Sequence, residues 1–464
     1  MMPDTDKTYS RRWWVVGAVL IGTWVGTLGN SMMPVALPSI LEQYRVGLHL
    51  GVWVISAYVL LVAILMPIFG WLGDRYGYRR IYTVGLMGMS VFSWGAAFAP
   101  GFGWLIAFRA LQGIFSATTL PSVMGIISEV FPDRERGLAI GVWATVNGAA
   151  HGLGPVISGF LVQVFGWPAT FWLTGAISFL GGILVYSVVP CDRKHDTRPF
   201  DFLGASTLML AMLIFVFNLT RGSDWGWSSW ASLSLWGVFA ALMVLFVVTE
   251  RCVSLPFVEL HLFANVRYTV VVVISSALFF CLMGLQLSLS LYLIQLRGSD
   301  TGVAGLLIAP LAFTLAVFSP LAGRTADRLG YQATMTIGIA VVTLATGSMR
   351  FWNTGTPAWT IVVTLIATGL GMGLTQLPAA TGATLVVRKD ERGIALGIFN
   401  MLRFISGTLG ATILGAILEH AQLNGIAPLR AFHLSFSLLT AVAAVAALLA
   451  VLMSRLPAAL QQLA

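Results

Sequence analysis

Long apolar segments recur along this chain and constrain its fold more than any other feature of the sequence. Each is about twenty residues long, the length with which an α-helix crosses a bilayer. Only 9% of the 464 residues are charged, whereas soluble domains carry about 25%, so a soluble or a disordered chain is excluded. The expected fold class is an all-α polytopic membrane protein. Fourteen transmembrane helices are predicted, at 13–36, 51–72, 81–99, 104–128, 138–164, 168–190, 203–220, 230–250, 268–292, 302–323, 333–351, 358–382, 393–418 and 433–454.

Basic residues are distributed unevenly between the two sides of the predicted spans. With the N-terminus placed in the cytoplasm, 19 of the 26 Lys and Arg residues fall in inside segments and 5 in outside segments, and two lie within spans. This bias follows the positive-inside rule, so both termini are predicted to be cytoplasmic. It also accounts for the net charge of +8 without a nucleic-acid partner. The three cysteines lack metal-ligand spacing, and neither a metal nor a cofactor is expected.

The chain contains an internal repeat. The ends of the second and tenth spans share six residues at a constant offset of 253, and the starts of the fifth and thirteenth spans match at an offset of 256. The six residues of the second span are Pro67, Gly70, Asp74, Arg75, Gly77 and Tyr78, and their counterparts are Pro320, Gly323, Asp327, Arg328, Gly330 and Tyr331.

The repeat unit is six spans, and the offset leaves room for two further spans between the units. The predicted domains are a six-helix bundle at 1–195, two inserted helices with linkers at 196–262, and a second six-helix bundle at 263–464. An even insert keeps the two bundles in the same orientation, which is a transporter design with its site between the halves. A channel is less favoured, because no filter loop is recognisable.

The sequence resembles the major facilitator superfamily, specifically its fourteen-span drug:proton antiporter branch, over essentially the whole chain. The segment 70–80 (GWLGDRYGYRR) is similar to the signature loop of the superfamily, and 109–113 (RALQG) is similar to its fourth-span motif. Segment 225–227 (WGW) and Glu250 are typical of the fourteen-span branch. The fifth-span residues Gly148, Gly152, Gly154, Pro155 and Gly159 resemble the antiporter motif, which marks exporters.

The resemblance implies roles for these motifs. The loop after the second span would latch the two halves together on the cytoplasmic side, and its repeat after the tenth span would take part. The glycines would allow close helix approach, and Pro155 would kink the fifth span. A solvated helix end and generic helix packing are the plain alternatives. The latch residues are Gly70, Asp74, Arg75, Gly77, Arg79, Asp327 and Arg328.

The first span departs from the branch pattern. Where the branch usually carries an aspartate, this chain has Gly29, followed by Asn30. None of the 18 Asp and Glu residues lies in the middle of a predicted span. Ordinary proton coupling needs a protonatable group in the pathway, so His151, near the middle of the fifth span, becomes a candidate; a histidine satisfied by its neighbours is the alternative.

Two arginines lie within spans, Arg109 with Gln112 in the fourth and Arg403 in the thirteenth. A buried arginine is costly unless it meets a cavity or a partner, although Arg109 could snorkel to the interface. Because no carboxylate accompanies them, we expect a positive cavity and an anionic or neutral substrate. Aromatic and amide side chains could line this cavity, with belt or packing roles as the alternative. They are Trp24, Trp53, Tyr58, Trp143, Asn147, Gln286, Tyr292, Gln376 and Asn400.

The function expected from these features is secondary active efflux of small amphipathic compounds by alternating access. The expected partners are a small-molecule substrate, membrane lipids and protons. The expected location is a bacterial cytoplasmic membrane, and the protein could act as a monomer. One alternative is a dedicated exporter of an endogenous anionic metabolite such as a siderophore or an organic acid. Another is a transport-inactive sensor or scaffold. An enzyme is not expected, because no nucleophile motif, metal cluster or phosphate loop is present in the sequence.

Overall fold

A computed structural model describes residues 5–190, 201–226, 228–253, 256–388 and 391–454. This part of the chain is almost wholly helical and contains no β-strand, which confirms the predicted fold class. The α-helices are α1 (Thr5–Ser31), α2 (Met33–Tyr44), α3 (Leu48–Gly51), α4 (Trp53–Tyr76), α5 (Tyr78–Ala97), α6 (Phe102–Ser116), α7 (Thr119–Val130), α8 (Asp133–Phe165), α9 (Pro168–Val188), α10 (Phe202–Trp225), α11 (Trp230–Cys252), α12 (Val266–Leu291), α13 (Thr301–Leu329), α14 (Tyr331–Ser348), α15 (Ala358–Leu385), α16 (Arg392–Leu423) and α17 (Pro428–Ser454). Short 3-10 helices occupy Leu260–Ala264 and Met349–Phe351, and a π-helical turn occupies Tyr292–Leu296.

Each predicted span corresponds to a helix or to a pair of consecutive helices. The first span is formed by α1 and α2, and the fourth by α6 and α7. Both divisions lie just before a proline, Pro34 or Pro121. Proline has no N–H to donate to the carbonyl four residues earlier, so the helix ladder is interrupted and restarts.

The third predicted span, α5, is the least apolar of the fourteen. Within the described residues, thirteen helical segments are long and apolar enough to cross a membrane, and α5 is not among them. It begins with Arg79 and Arg80 and contains several small polar residues. It packs against α6 and α9, and its buried Tyr82 donates to the carbonyl of Val19 at 2.7 Å, so it is an integral part of the bundle.

The inserted helices lie beside the main bundle. α10 and α11 pack against each other, and α10 also contacts α4 and α16. Asn218 and Ser232 join the inserted pair by two hydrogen bonds of 3.0 and 3.1 Å. Of the predicted domain limits, 195/196 lies outside the described residues, and 262/263 falls within the 3-10 helix Leu260–Ala264.

The two repeat loops share a backbone conformation. Gly77 has φ +96° and Gly330 has φ +84°, a region that favours glycine. Each sits between two helices and allows the next one to begin at once. A tyrosine follows each of these glycines, and its ring packs directly against a second glycine on another helix, where a side chain would leave no room for the ring. The two pairs are Tyr78 with Gly125 and Tyr331 with Gly382.

The bundle has two ends that matter for the site. We call the end at which α1 begins and α17 finishes the terminal face, and the other end the opposite face. Helices α4 and α13 run toward the terminal face, whereas α8 and α16 run away from it.

Candidate functional site: a cavity between the two halves

The two halves meet along a close seam between α8 and α13. A methyl group added at Gly148 would lie 2.9 Å from Cβ of Ala316, and one added at Gly152 would lie 3.1 Å from the backbone nitrogen of Phe313. At Gly159 the added group would meet the Thr301 backbone. Three of the predicted antiporter-motif glycines therefore face the other half, and their lack of a side chain brings the backbones together.

The remaining members of that motif act differently. Gly154 faces Ser31 of the same half, and the carbonyl of Pro155 lies against Gly305 of α13. Although Pro155 removes one backbone donor, α8 is one uninterrupted helix from Asp133 to Phe165. A hydrogen bond of 3.1 Å from the Thr301 hydroxyl to the Gly159 carbonyl ties the seam together.

A second seam joins α4 and α16 and ends in a polar contact. The hydroxyls of Ser56 and Thr412 are 2.9 Å apart. Near the opposite face, the buried carboxylate of Glu419 accepts a 2.7 Å hydrogen bond from the backbone N–H of Leu48 and lies 2.9 Å from Nδ1 of His49. Sequence reasoning missed this contact, since Glu419 lies one residue beyond the predicted thirteenth span and His49 lies just before the second.

A cavity of about 610 Å³ lies between the halves on the terminal-face side of both seams. It extends along α8 from His151, near the middle of that helix, to Leu138, near its beginning. The seam between α8 and α13 runs from Gly148 in the other direction, toward the opposite face. The cavity is therefore closed toward the opposite face by direct contact of the two halves.

Several predicted site residues line this cavity. Trp143 donates to the hydroxyl of Thr23 at 3.1 Å. The Thr27 hydroxyl donates to the Asn147 side chain at 2.7 Å, and Nδ1 of His151 lies 3.2 Å from the Asn147 carbonyl. The lining residues that the sequence predicted are Asn30, Tyr58, Trp143, Asn147, Gly148, His151, Gln376, Asn400 and Arg403.

Four predicted cavity residues lie elsewhere. Trp53 donates to Thr220 of the inserted α10 at 3.0 Å. Tyr292 is buried in an aromatic cluster and donates to the Asn353 carbonyl. Gln286 is buried, and neither of its amide atoms has a hydrogen-bond partner among the described residues. Trp24 packs against the core cluster. Spacing along a helix predicts depth in the membrane but does not fix which way the side chain faces.

The two intramembrane arginines have different surroundings. Arg109 is 1% exposed and does not line the cavity. Its Nε donates to the Val54 carbonyl at 2.7 Å and its Nη1 to Gln112 at 2.9 Å, while its guanidinium lies 4.3 Å from the centre of the Tyr58 ring. Gln112 in turn donates to Ser93 at 2.7 Å. This group belongs to the packing of the N-terminal half.

Arg403 lines the cavity, and the contacts of its guanidinium within the described part of the chain are with aromatic rings. Its guanidinium lies 4.6 Å from the centre of the Phe279 ring and 5.9 Å from that of Phe404, and its Nε has no hydrogen-bond partner in the described part of the chain. Among the described residues that line the cavity there is no Asp, Glu or Lys. The cavity is positive or neutral, as the distribution of charge in the sequence predicts.

The latch residues lie at the terminal face, outside the cavity. Asp74 accepts a hydrogen bond from Tyr78 of its own half, and Arg75 stacks near Trp71. Arg79 donates to the Tyr186 carbonyl, and its guanidinium lies over the Tyr186 ring.

The other latch residues make few contacts within the described part of the chain. A methyl group added at Gly70 would lie 3.6 Å from Cβ of Pro121, an ordinary van der Waals distance. Arg328 is exposed, and the side chain of Asp327 lies outside the described part. The predicted latch between halves stays a prediction.

A polytopic helical protein whose two halves meet along two seams and enclose one cavity has the architecture of a secondary transporter. The sequence profile of the Major Facilitator Superfamily matches residues 19–411 and again 271–462. The chain belongs to this superfamily, as the motifs predicted.

Relatives of known description support the drug-efflux branch. The multidrug resistance protein Stp of Mycobacterium tuberculosis (strain CDC 1551 / Oshkosh) is 29% identical over 399 residues, which cover 86% of this chain and 74% of that protein. The tetracenomycin C resistance and export protein of Streptomyces glaucescens is 26% identical over 414 residues, or 88% of this chain and 76% of that protein.

A solved structure supports the fold alone. The crystal structure of a bacterial homolog to the human lysosomal transporter Spinster, in an inward-facing and unoccupied conformation, superposes with a TM-score of 0.69 at 15% identity. The match covers 96% of this chain and 97% of that chain.

Proposed function

We propose that this protein exports small amphipathic compounds across a bacterial cytoplasmic membrane by alternating access of the cavity between its halves. The observation that carries the proposal is the cavity itself, which is sealed toward the opposite face by glycine-mediated backbone contact. Such a seam can separate and re-form with little side-chain rearrangement, as rocking of two halves requires. The names of the relatives, which refer to multidrug resistance and to export, favour the same function.

The excess of basic residues in one set of loops supports an orientation. The positive-inside rule places the terminal face in the cytoplasm, so the cavity would reach toward the cytoplasm in this conformation. A compound would enter there, and opening of the two seams would release it outside. Lipid contacts would cover the apolar surface, and nothing in this scheme needs a second copy of the chain.

We further propose that a proton gradient drives the export and that His151 carries the proton. His151 is the only histidine among the described lining residues, and no carboxylate accompanies it. With Nδ1 directed at the Asn147 carbonyl, the other ring nitrogen is left to exchange a proton. Its charge would change between the two conformations as its access to water changes.

Proteoliposomes under an imposed pH gradient test both proposals. We expect gradient-driven uptake of an amphipathic dye by the wild type, and loss of the gradient dependence in His151→Gln. The control is His420→Gln, since His420 is exposed and lies outside the cavity. A wild type that ignores the gradient refutes proton coupling, and a His151→Gln variant that follows the gradient refutes the assignment of His151.

A dedicated exporter of an anionic metabolite is the second candidate function. It is favoured by one observation, the absence of carboxylates among the described residues that line the cavity. A drug exporter would transport a wide range of dyes, whereas a dedicated exporter would move few of them. Transport of a cationic dye as efficiently as an anionic one would exclude this second candidate.

A further inference from the structure

Resting on the proposed function, we propose that the guanidinium of Arg403 anchors the anionic group of the transported compound. The preferred ligand class is then an aromatic anion, such as a sulfonate, a carboxylate or a phenolate. Phe279 and Phe404 would hold the apolar part of the compound next to its charge.

The hydrogen-bond inventory separates Arg403 from the other intramembrane arginine. Arg109 donates from Nε to the Val54 carbonyl and from Nη1 to Gln112, and its Nη2 is buried without a hydrogen-bond partner in the described part of the chain. Arg403 uses none of its donors on a carbonyl or a carboxylate in the described part of the chain, and its Nε is buried without a hydrogen-bond partner. An arginine carries five N–H donors, and the described residues supply no acceptor to those of Arg403. Because this guanidinium lines the cavity, its donors are available to an acceptor on a ligand.

The surroundings of Arg403 fit an anion better than a cation. The Arg403 guanidinium would repel a cationic ligand, and no carboxylate among the described residues of the cavity wall offsets this repulsion. Neighbouring amides are already committed in part, since Asn400 donates to the Leu396 carbonyl at 2.9 Å. The planar fork of Arg403 can bind two oxygens of one sulfonate or carboxylate together.

The rings beside Arg403 define the rest of the site. Phe279 belongs to α12 and Phe404 to α16, and their centres are 5.1 Å apart in an edge-on arrangement. Both line the cavity. The guanidinium lies near both rings, so an aromatic ligand bound through its acidic group would extend along the same apolar wall. A simple inorganic anion would gain nothing from these rings.

Two probes of the same shape isolate the charge: naphthalene-1-sulfonate and naphthalene-1-sulfonamide. Isothermal titration calorimetry with the purified full-length protein should give at least about tenfold tighter binding of the sulfonate, as one charge-assisted hydrogen bond provides. In Arg403→Gln the preference should disappear, while sulfonamide binding stays within about twofold. Arg403→Lys keeps the charge and should keep part of the preference. Arg430→Gln, at an exposed arginine outside the cavity, should keep all of it.

Equal binding of the two probes by the wild type would overturn the proposal, and so would an unchanged preference in Arg403→Gln. Tighter binding of 1-naphthylmethylammonium than of the sulfonate by the wild type would overturn it even if no variant folds. Failure of the proposed function looks different: the wild type would then prefer the sulfonate in calorimetry but transport neither probe in proteoliposomes.

Discussion

Replacing Gly159 by alanine tests the seam between α8 and α13 most directly. The added methyl group would meet the carbonyl oxygen of Thr301 and lie 3.0 Å from Cα of Gly302, and backbone atoms cannot rotate away. Overpacking of this kind costs about 1–3 kcal/mol. Under the proposed mechanism the seam is released when the opposite face opens, so the cost applies to the present conformation alone. We expect the equilibrium to shift toward the open form by about five- to 150-fold.

Gly141→Ala is the matched control for this substitution. Alanine raises helix propensity over glycine by about 0.5–1 kcal/mol, and that gain is equal in both conformations. Gly141 lies on the same helix, and no atom of the described residues, apart from its chain neighbours and the adjacent backbone of α8, lies within 4 Å of a methyl group added at this position. The control therefore carries the propensity gain without the clash.

Spin labels on Phe98→Cys and Phe351→Cys would report the opening. Both residues are exposed near the opposite face, one in each half. Pulsed electron paramagnetic resonance should show a longer distance gaining population in Gly159→Ala, with Gly141→Ala matching the wild type. If Gly159→Ala melts normally and leaves the distance distribution unchanged, the seam does not control the opening of this face.

Three further substitutions test other contacts. Glu419→Gln should weaken the seal at the opposite face by about 1 kcal/mol, because a neutral acceptor replaces a charged one. The same spin labels should then show about fivefold more of the open form. The control Glu42→Gln, at an exposed residue, should leave the population of the open form unchanged. Arg109→Gln should lower the free energy of unfolding by about 1–3 kcal/mol through lost charged donors, seen by thermal melting, without changing naphthalene-1-sulfonate binding in calorimetry. Asn218→Leu should remove both bonds to Ser232 and cost about 1 kcal/mol, lowering the melting temperature while uptake in proteoliposomes is unchanged.

Much of the fold could be predicted from the length of the apolar segments, which is set by the thickness of the membrane. Apolar length predicts each span, and proline chemistry explains the breaks before Pro34 and Pro121, although neither break was predicted. The small polar residues of α5 show the limit of hydropathy, since Ser90 and Ser93 are buried against neighbouring helices while Val84 and Val91 form part of its exposed face. The exact partners of each helix are set by packing between distant segments, which spacing along one helix does not encode.

The sequence predicted how deep each site residue lies in the membrane, but not which way its side chain points. Gln286 and Gln376 both lie within spans, yet only Gln376 lines the cavity. Successive residues of an α-helix point about 100° apart, so a small rotation of the whole helix exchanges cavity and core. The α8 motif was easier to place, since Asn147 and His151 share a face with glycines whose role requires the interface.

The first span shows how the missing aspartate should be understood. A methyl group added at Gly29 would lie 3.1 Å from Cγ2 of Thr174 on α9, so this position points into the N-terminal half, whereas Asn30 lines the cavity. The Gly29 position is already in contact with α9 and leaves little room for a larger side chain. Arg109 is held by two neutral oxygens and an aromatic ring. Because Arg109 is buried in the N-terminal half and does not line the cavity, His151 and Arg403 are the basic side chains among the described lining residues that can meet a ligand. Under the proposed function, a ligand in the cavity would therefore meet charge from α8 and α16, which carry His151 and Arg403, and not from the first span.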